Sequence, residues 1–256
     1  QNCILFNEEC NCIRSLREFS ITCDELSLNT FPSFENLTKI TGREQFSIKL
    51  TNKNYKILPK YAFQNLKIRN LILTNNRIEE ISDQSFSRIS SLNELNMNNN
   101  KIKSLKNLID SFNSLNDSEL ISFTRLQLFD NLIEDLNFEF PITVRNTVSL
   151  NLNSNKISII KSNAFQNLIF LKYLYLTNNP ILTFELDCFK YLVDLLELRI
   201  DQNSVLKLVN DDNLFKGMKS LTRLYLGSSI IQQVTNMSFI NLARLKEIYL
   251  NNNKIQ

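Results

Sequence analysis

Asparagine stands at 76, 100, 131, 155, 179, 203 and 253, each time five residues after an apolar residue that opens an apolar–any–apolar triplet. The triplets begin at Ile48, Leu71, Leu95, Leu126, Leu150, Leu174, Leu198, Leu224 and Ile248, so successive offsets are 23, 24, 31, 24, 24, 24, 26 and 24 residues. Periods of this size mark a solenoid, in which each repeat contacts mainly its neighbours and the stack buries a continuous core. The repeat overrides what length alone suggests. A chain of 256 residues could form one or two globular domains, but this periodicity predicts one elongated domain.

The frame is clearest in Leu171-Lys-Tyr-Leu174-Tyr-Leu176-Thr-Asn-Asn179-Pro-Ile181. Side chains alternate along a strand, so Leu174 and Leu176 point inward while Tyr173, Tyr175 and Thr177 point outward. Asn179 then turns the chain. Its amide both donates and accepts, which suits a buried position bridging backbone groups of adjacent turns. Losing that amide would strand polar backbone groups at about 1 to 3 kcal/mol each. The return path carries a second column, Phe63, Phe86, Phe165, Phe189, Phe215 and Phe239, which predicts a packed aromatic spine rather than a ligand channel. With only three glycines and four prolines, the turns must be made by asparagine.

Four of the five cysteines, Cys3, Cys10, Cys12 and Cys23, fall within the first 23 residues. That density reads as a disulfide knot formed in an oxidising compartment. A structural zinc site usually takes two C-x2-4-C pairs, and the spacing C-x6-C-x-C-x10-C does not supply them. The knot has a physical task, because the first repeat of a solenoid has no neighbour on one side and needs a cap. Phe19, Ile21, Leu26, Leu28, Phe31 and Phe34 alternate with polar residues around Cys23, as a short hairpin would require. The odd cysteine, Cys188, precedes the spine residue Phe189 and is expected to be a small buried thiol. The alternative is an intermolecular bridge.

The frame L-x-x-L-x-L-x-x-N-x-I-x-x-I-x-x-x-x-F-x-x-L resembles the typical class of extracellular leucine-rich repeats. Residues 12 to 34 resemble that family's cysteine-rich N-terminal flanking module. The resemblance implies an α/β horseshoe with a parallel sheet lining its concave face, an irregular or short-helical convex side, and a disulfide-stapled cap. It also implies the pairing Cys3 to Cys12 and Cys10 to Cys23. On this basis residues 1–36 form the cap and residues 37–256 the repeats, with about nine strands.

Several departures bear on the fold. Lys53 and Ser229 stand where the first and eighth repeats should have asparagine, so looser turns are expected there. The 31-residue interval holds an insertion around Leu105 to Phe123 whose apolar residues at 105, 108, 109, 112 and 115 are spaced for a short helix bulging from the convex side. The fourth repeat, with Asn137-Phe-Glu-Phe140-Pro141, lacks the usual descending pattern. The last repeat stops at Asn253-Lys-Ile255-Gln256 without a C-terminal cap, which suggests a fragment of a longer protein.

Catalysis is not expected. No histidine is present, which removes Ser-His-Asp and Cys-His arrangements, histidine metal sites and a histidine pH switch. Gly42, Gly217 and Gly227 are too far apart for a phosphate-cradling loop. The carboxylate pairs Glu79-Glu80 and Asp211-Asp212 read as solvated loops. A formal charge of +3 makes nucleic acid an improbable partner. Neither cofactor nor metal is predicted, and no apolar stretch of about 20 residues could span a membrane.

The functional surface should be the outward side of the sheet. Its central column reads Lys49, Ile72, Asn96, Gln127, Asn151, Tyr175, Arg199, Tyr225 and Tyr249, and a flanking column reads Ser47, Asn70, Glu94, Arg125, Ser149, Tyr173, Glu197, Arg223 and Glu247. The C-terminal half is rich in tyrosine and arginine, the residues that dominate binding hot spots. The candidate site is therefore Tyr173, Tyr175, Arg199, Asp201, Arg223, Tyr225, Glu247 and Tyr249, taking a protein ligand. The competing reading makes Glu197, Arg223 and Glu247 mere neutralisers across strands and the tyrosines sheet formers. The sequons at Asn36, Asn116 and Asn236 lie off the strands, which would leave the sheet free of glycan. A secreted or cell-surface binder is expected. A matrix or adhesion protein, a homodimer through the sheet, and a noncatalytic subunit of an enzyme stay open.

Overall fold

The computed structural model describes residues 10–15, 18–23, 31–34, 37, 45–113, 124–203, 214–235 and 237–256. They belong to two compact units, Gln1–Asn131 and Leu132–Gln256. In the first unit the elements are β1 (Asn11–Arg14), β2 (Glu18–Cys23), β3 (Gln45–Leu50), β4 (Ile57–Leu58), β5 (Ile68–Ile72), β6 (Glu80–Ile81), β7 (Glu94–Asn96), α1 (Lys106–Asn113) and β8 (Arg125–Gln127). The second contains β9 (Ser149–Asn151), β10 (Ile159–Ile160), β11 (Tyr173–Tyr175), β12 (Thr183–Phe184), β13 (Glu197–Arg199), β14 (Arg223–Tyr225) and β15 (Glu247–Tyr249).

Each unit is a stretch of parallel-sheet solenoid. In the first, β2, β3, β5, β7 and β8 run parallel in that order, and β1 closes the N-terminal edge antiparallel to β2. In the second, β9, β11, β13, β14 and β15 are parallel. Short pairs on the return path, β4 with β6 and β10 with β12, complete the turns. All nine triplets predicted from the sequence form strands, and their leucines pair in register, Leu150 with Leu174, Leu174 with Leu198 and Leu198 with Leu224. Leu71, Leu95, Leu126, Leu150, Leu174, Leu198 and Leu224 are buried.

The ladder asparagines bond as their chemistry requires. Asn100 Oδ1 accepts the backbone N–H of Asn76 at 3.1 Å and of Ile78 at 2.9 Å, while its Nδ2 donates to the carbonyls of Leu73 at 2.9 Å and Met97 at 3.0 Å. Asn179 repeats the pattern, accepting from Ile157 N–H at 3.1 Å and donating to Leu152 and Leu176 at 3.0 Å. Each amide thus closes its own turn and fastens it to the preceding one. Asn203 departs from the pattern, since its Nδ2 donates to Ile200 and Leu176 but its buried Oδ1 accepts no hydrogen bond among the described residues.

A second use of asparagine was not legible from the period. The residue just before each ladder position, at Asn52, Asn75, Asn99, Asp130, Ser154, Asn178, Gln202, Ser228 and Asn252, adopts a left-handed φ between 54° and 60°. Asparagine tolerates that region better than other side chains with a Cβ. Asn99 Nδ2 donates to Asn75 Oδ1 at 2.8 Å and Asn75 Nδ2 to Asn52 Oδ1 at 3.2 Å, an exposed ladder beside the buried one.

The expected loosening at the two interrupted rungs is not seen. Lys53 is buried, and its backbone N–H donates to Asn76 Oδ1 at 2.9 Å. Ser229 is buried, donates through its hydroxyl to Gly227 O at 3.0 Å, and gives its N–H to Asn253 Oδ1 at 3.0 Å. A neighbouring amide holds the backbone of each.

The aromatic spine extends beyond the predicted column. Phe34 stacks on Phe63 at 5.6 Å, Phe63 meets Phe86 at 5.7 Å, and Phe86 meets Phe112 at 5.6 Å. In the second unit Phe165 stacks on Phe189, and Phe215 on Phe239, each at 6.0 Å. Phe112 belongs to α1, whose Leu108, Ile109 and Phe112 are buried. The helix is therefore in the core rather than a bulge, because its apolar face supplies the spine ring that the third repeat otherwise lacks. The rest of the insertion, residues 114–123, lies outside the described residues. Phe140, in the irregular fourth repeat, is also buried, ahead of a single 3-10 turn at Ile142–Val144.

The cap hairpin lies earlier than expected: β1 and β2 pair Cys12 with Ile21, so β2 ends at Cys23 instead of the hairpin turning there. Cys10 and Cys23 form a disulfide, as the resemblance implied. Cys12 is disulfide-bonded as well, and its expected partner, Cys3, lies outside the described residues. Cys188 is a fully buried thiol outside any disulfide among the described residues.

Two outcomes test these forces. Asn179→Ala removes two donors and an acceptor from buried backbone groups and lowers stability by about 2 to 3 kcal/mol, measured from the denaturant midpoint. Ile230, 44% exposed, holds a left-handed φ of 56°, a conformation strained for a β-branched side chain. Ile230→Asn therefore raises stability by about 1 kcal/mol, and an unchanged or lower midpoint would contradict that strain.

Candidate functional site

The strand register of the second unit sets Tyr175, Arg199, Tyr225 and Tyr249 side by side on the open face of the sheet. Their inward neighbours, Leu174, Leu198 and Leu224, fix the strands from behind. The column forms one continuous stack. The Arg199 guanidinium lies 5.6 Å from the Tyr175 ring centre and 4.2 Å from that of Tyr225. Tyr225 and Tyr249 stack with centres 4.3 Å apart and planes within 3°. A cation between two ring faces gains on the order of 0.5 to 2 kcal/mol per ring, more as water is excluded.

The flanking column is organised by one carboxylate. Glu197 is only 4% exposed. Its Oε1 accepts the Arg199 Nε–H at 2.7 Å, and its Oε2 forms an ion pair with Arg223 Nη2 at 2.8 Å. Glu247, the register partner of Arg223, makes no ion pair among the described residues and accepts the Tyr249 hydroxyl at 2.9 Å. Asp201 accepts the Thr177 hydroxyl at 2.7 Å. Tyr173 is half-buried at the start of its strand.

Electrostatics follow from this packing. Burial raises the Tyr175 phenol above its usual range, and the Glu197 charge adds to the rise. The hydrogen bond to Glu247 raises that of Tyr249. All eight residues predicted for the site thus lie on one face of one unit, seven of them on strands and Asp201 just beyond β13. The sequence assigned Glu197 only a neutralising role. What it could not reveal is that Glu197 is withdrawn from solvent and grips both arginines. Its signal was a carboxylate between leucines, two residues before Arg199 and directly beside Arg223 in the flanking column. Gly227 was also missed: a Cβ there would meet Asn251 Oδ1 at 2.9 Å, so the bare backbone lets that amide lie across the strand.

The corresponding face of the first unit is different in kind. Ser47 donates to Glu18 and accepts from Asn70 Nδ2 at 3.2 Å, and Arg125 pairs with Glu94 at 2.8 Å. Asn96 turns its side chain back onto the N–H group of Asn98, accepting it at 3.1 Å. These polar groups are occupied by one another. The three sequon asparagines, Asn36, Asn116 and Asn236, lie outside the described residues.

Glu197→Gln tests the assigned organisation. Neutralising a buried carboxylate that serves two half-exposed arginines lowers stability by about 1 to 2 kcal/mol. It also removes the negative charge that opposes Tyr175 ionisation, so ultraviolet titration should show that phenol ionising at lower pH. In the wild type the raised phenol contributes stability that is complete below the unfolded value of about 10 and is lost as pH rises through the folded one. The variant, with a smaller rise, has less to lose and loses it over a narrower window.

Comparison with known proteins bears on what such a scaffold is. The family model described as leucine rich repeat matches residues 66–117, 121–181, 145–205 and 195–255, together well over half of the chain. Keratocan of Gallus gallus is 30% identical over 209 residues, covering 80% of this chain and 54% of that protein. Lumican of Gallus gallus is 26% identical over 249 residues, 96% of this chain and 60% of that protein. The human leucine-rich repeats and immunoglobulin-like domains protein 3 is 31% identical over 180 residues, 70% of this chain but 15% of that protein. The chain therefore spans about half the length of the keratocan, and far less of the immunoglobulin-like relative.

Among solved structures, a chain in the octameric complex of Latrophilin 3, Unc5D and FLRT2 superposes with a TM-score of 0.66 at 23% identity, covering 95% of this chain and 83% of that one. A chain of the TLR13–ssRNA13 complex gives 0.59 at 23% identity, with 84% and 33% covered. At such identities the likeness establishes the fold. The disulfide-stapled cap and the extracellular relatives make this a secreted or cell-surface chain. Among the described residues no helix is long and apolar enough to cross a membrane.

Proposed function

Because the chain belongs to the leucine-rich repeat family, in its extracellular form, we propose that it recognises a protein ligand through the open sheet face of its second unit and performs no chemistry of its own. The observation that carries this reading is the Tyr175–Arg199–Tyr225–Tyr249 stack. Aromatic and arginine side chains of this kind supply most of the energy at protein interfaces, since each offers large contact area at low entropic cost. The stack is partly exposed and its side chains already contact one another without a partner, which lowers the ordering that opposes binding.

Sheet propensity alone accounts for tyrosines on strands, but it does not account for a guanidinium clamped between two of them and fixed by a buried carboxylate. The proposed contact residues are Tyr173, Tyr175, Arg199, Asp201, Arg223, Tyr225, Glu247 and Tyr249. The assemblies in which some relatives have been solved, with Latrophilin 3 and Unc5D as companions in one case, support a role in protein recognition. Which ligand a scaffold of this frame takes is decided by its surface and not by its fold.

The test is capture of secreted and cell-surface proteins by the immobilised chain, compared with a variant carrying Tyr175→Ala, Arg199→Ala and Tyr225→Ala together. The variant is expected to keep its circular dichroism spectrum and lose at least about tenfold in affinity for the captured protein, a modest loss for three interface anchors. Undiminished affinity would move the site off this face.

A further inference from the structure

We infer that Arg199 and Arg223 together form an anchor for one carboxylate, supplied by a single aspartate or glutamate side chain of the protein partner; this rests on the reading of the second unit's open face as the docking surface. The two guanidinium groups share one carboxylate. Glu197 accepts a hydrogen bond from Arg199 Nε and forms an ion pair with Arg223 Nη2. The neighbouring acids are engaged elsewhere, Asp201 by the Thr177 hydroxyl and Glu247 by the Tyr249 hydroxyl, and among the described residues neither pairs with an arginine. Both terminal amino groups of Arg199 and Nη1 of Arg223 have no acceptor there, and Arg223 Nε is buried without one.

The orientation of the free groups is set in advance. The Arg199 guanidinium lies over the Tyr175 ring at 5.6 Å and the Tyr225 ring at 4.2 Å, on the strands to either side, and the Nε bond to Glu197 ties it down. What stays open is the edge carrying the two terminal amino groups, the fork that matches a carboxylate with two parallel bonds. The side chains of Arg199 and Arg223 are 42% and 40% exposed, so a partner can reach them.

Charge selects the kind of anion. Glu197 and Glu247 equal the two arginines on these strands and Asp201 lies just beyond β13, so the face has no excess of positive charge to hold a polyanion such as a sulfated glycan. A lone carboxylate on an otherwise neutral or basic segment gains the arginines without needing such an excess.

The experiment pans the full chain against displayed random peptides, with heparin as the polyanion probe. Peptides that bind wild type and are lost by Tyr175→Ala should carry an essential aspartate or glutamate, and changing it to its amide should weaken binding about tenfold or more. On Arg199→Gln or Arg223→Gln, folded by circular dichroism, acid and amide peptides should bind alike, whereas Tyr175→Ala should weaken both equally. Peptides that need Tyr175 but tolerate the amide would overturn the carboxylate anchor and leave the docking face standing. A selection yielding only binders indifferent to Tyr175, Arg199 and Tyr225 would overturn both. Heparin binding lost in the arginine variants would replace the single carboxylate with a polyanion.

Discussion

The structure depends on a buried amide that serves two turns at once. A strand of three residues is too short to hold its place by its own ladder, and the turn that follows leaves N–H and carbonyl groups facing the core. Asn100 and Asn179 resolve both problems by accepting from the turn before and donating to that turn and their own. Burying those groups unpaired would cost about 1 to 3 kcal/mol each, comparable with what a buried leucine contributes. The leucines supply the driving force and the amides decide the register in which it acts.

Register then becomes the origin of the surface. Since Leu174, Leu198 and Leu224 pair directly, the residues on their far side must pair as well. Tyr175, Arg199, Tyr225 and Tyr249 are brought to stacking distance by nothing more than the spacing of neighbouring strands, about 4.8 Å. A slip of one residue would have exchanged the whole column for leucine. The stability of the core and the geometry of the candidate site are thus one arrangement viewed from two sides.

The departures from the repeat show how a solenoid absorbs irregularity. Where the third repeat is lengthened, α1 turns its apolar side inward and Phe112 takes the spine position. Where the amide is missing, at Lys53 and Ser229, the next asparagine along still receives the backbone N–H. In both cases the neighbouring turn compensates, as expected when stability is a sum of nearest-neighbour terms.

The nine strands, the buried amides, the aromatic column and the outward positions were all legible in the sequence, because a period of about 24 residues constrains every copy at once and an alternation of two fixes which side faces the core. Other features came only from the fold. The early position of the cap hairpin, the inward turn of α1 and the second asparagine ladder arise where the period is broken or where two backbone conformations compete locally. The same holds for Glu197. Its place in the flanking column was written in the chain, but its choice of Arg199 on its own strand and Arg223 on the next, over any pairing of Arg223 with Glu247, was decided by packing. Side-chain partners across a sheet are selected by burial and hydrogen bonding among several neighbours within reach, and a one-dimensional pattern lists those neighbours without ranking them.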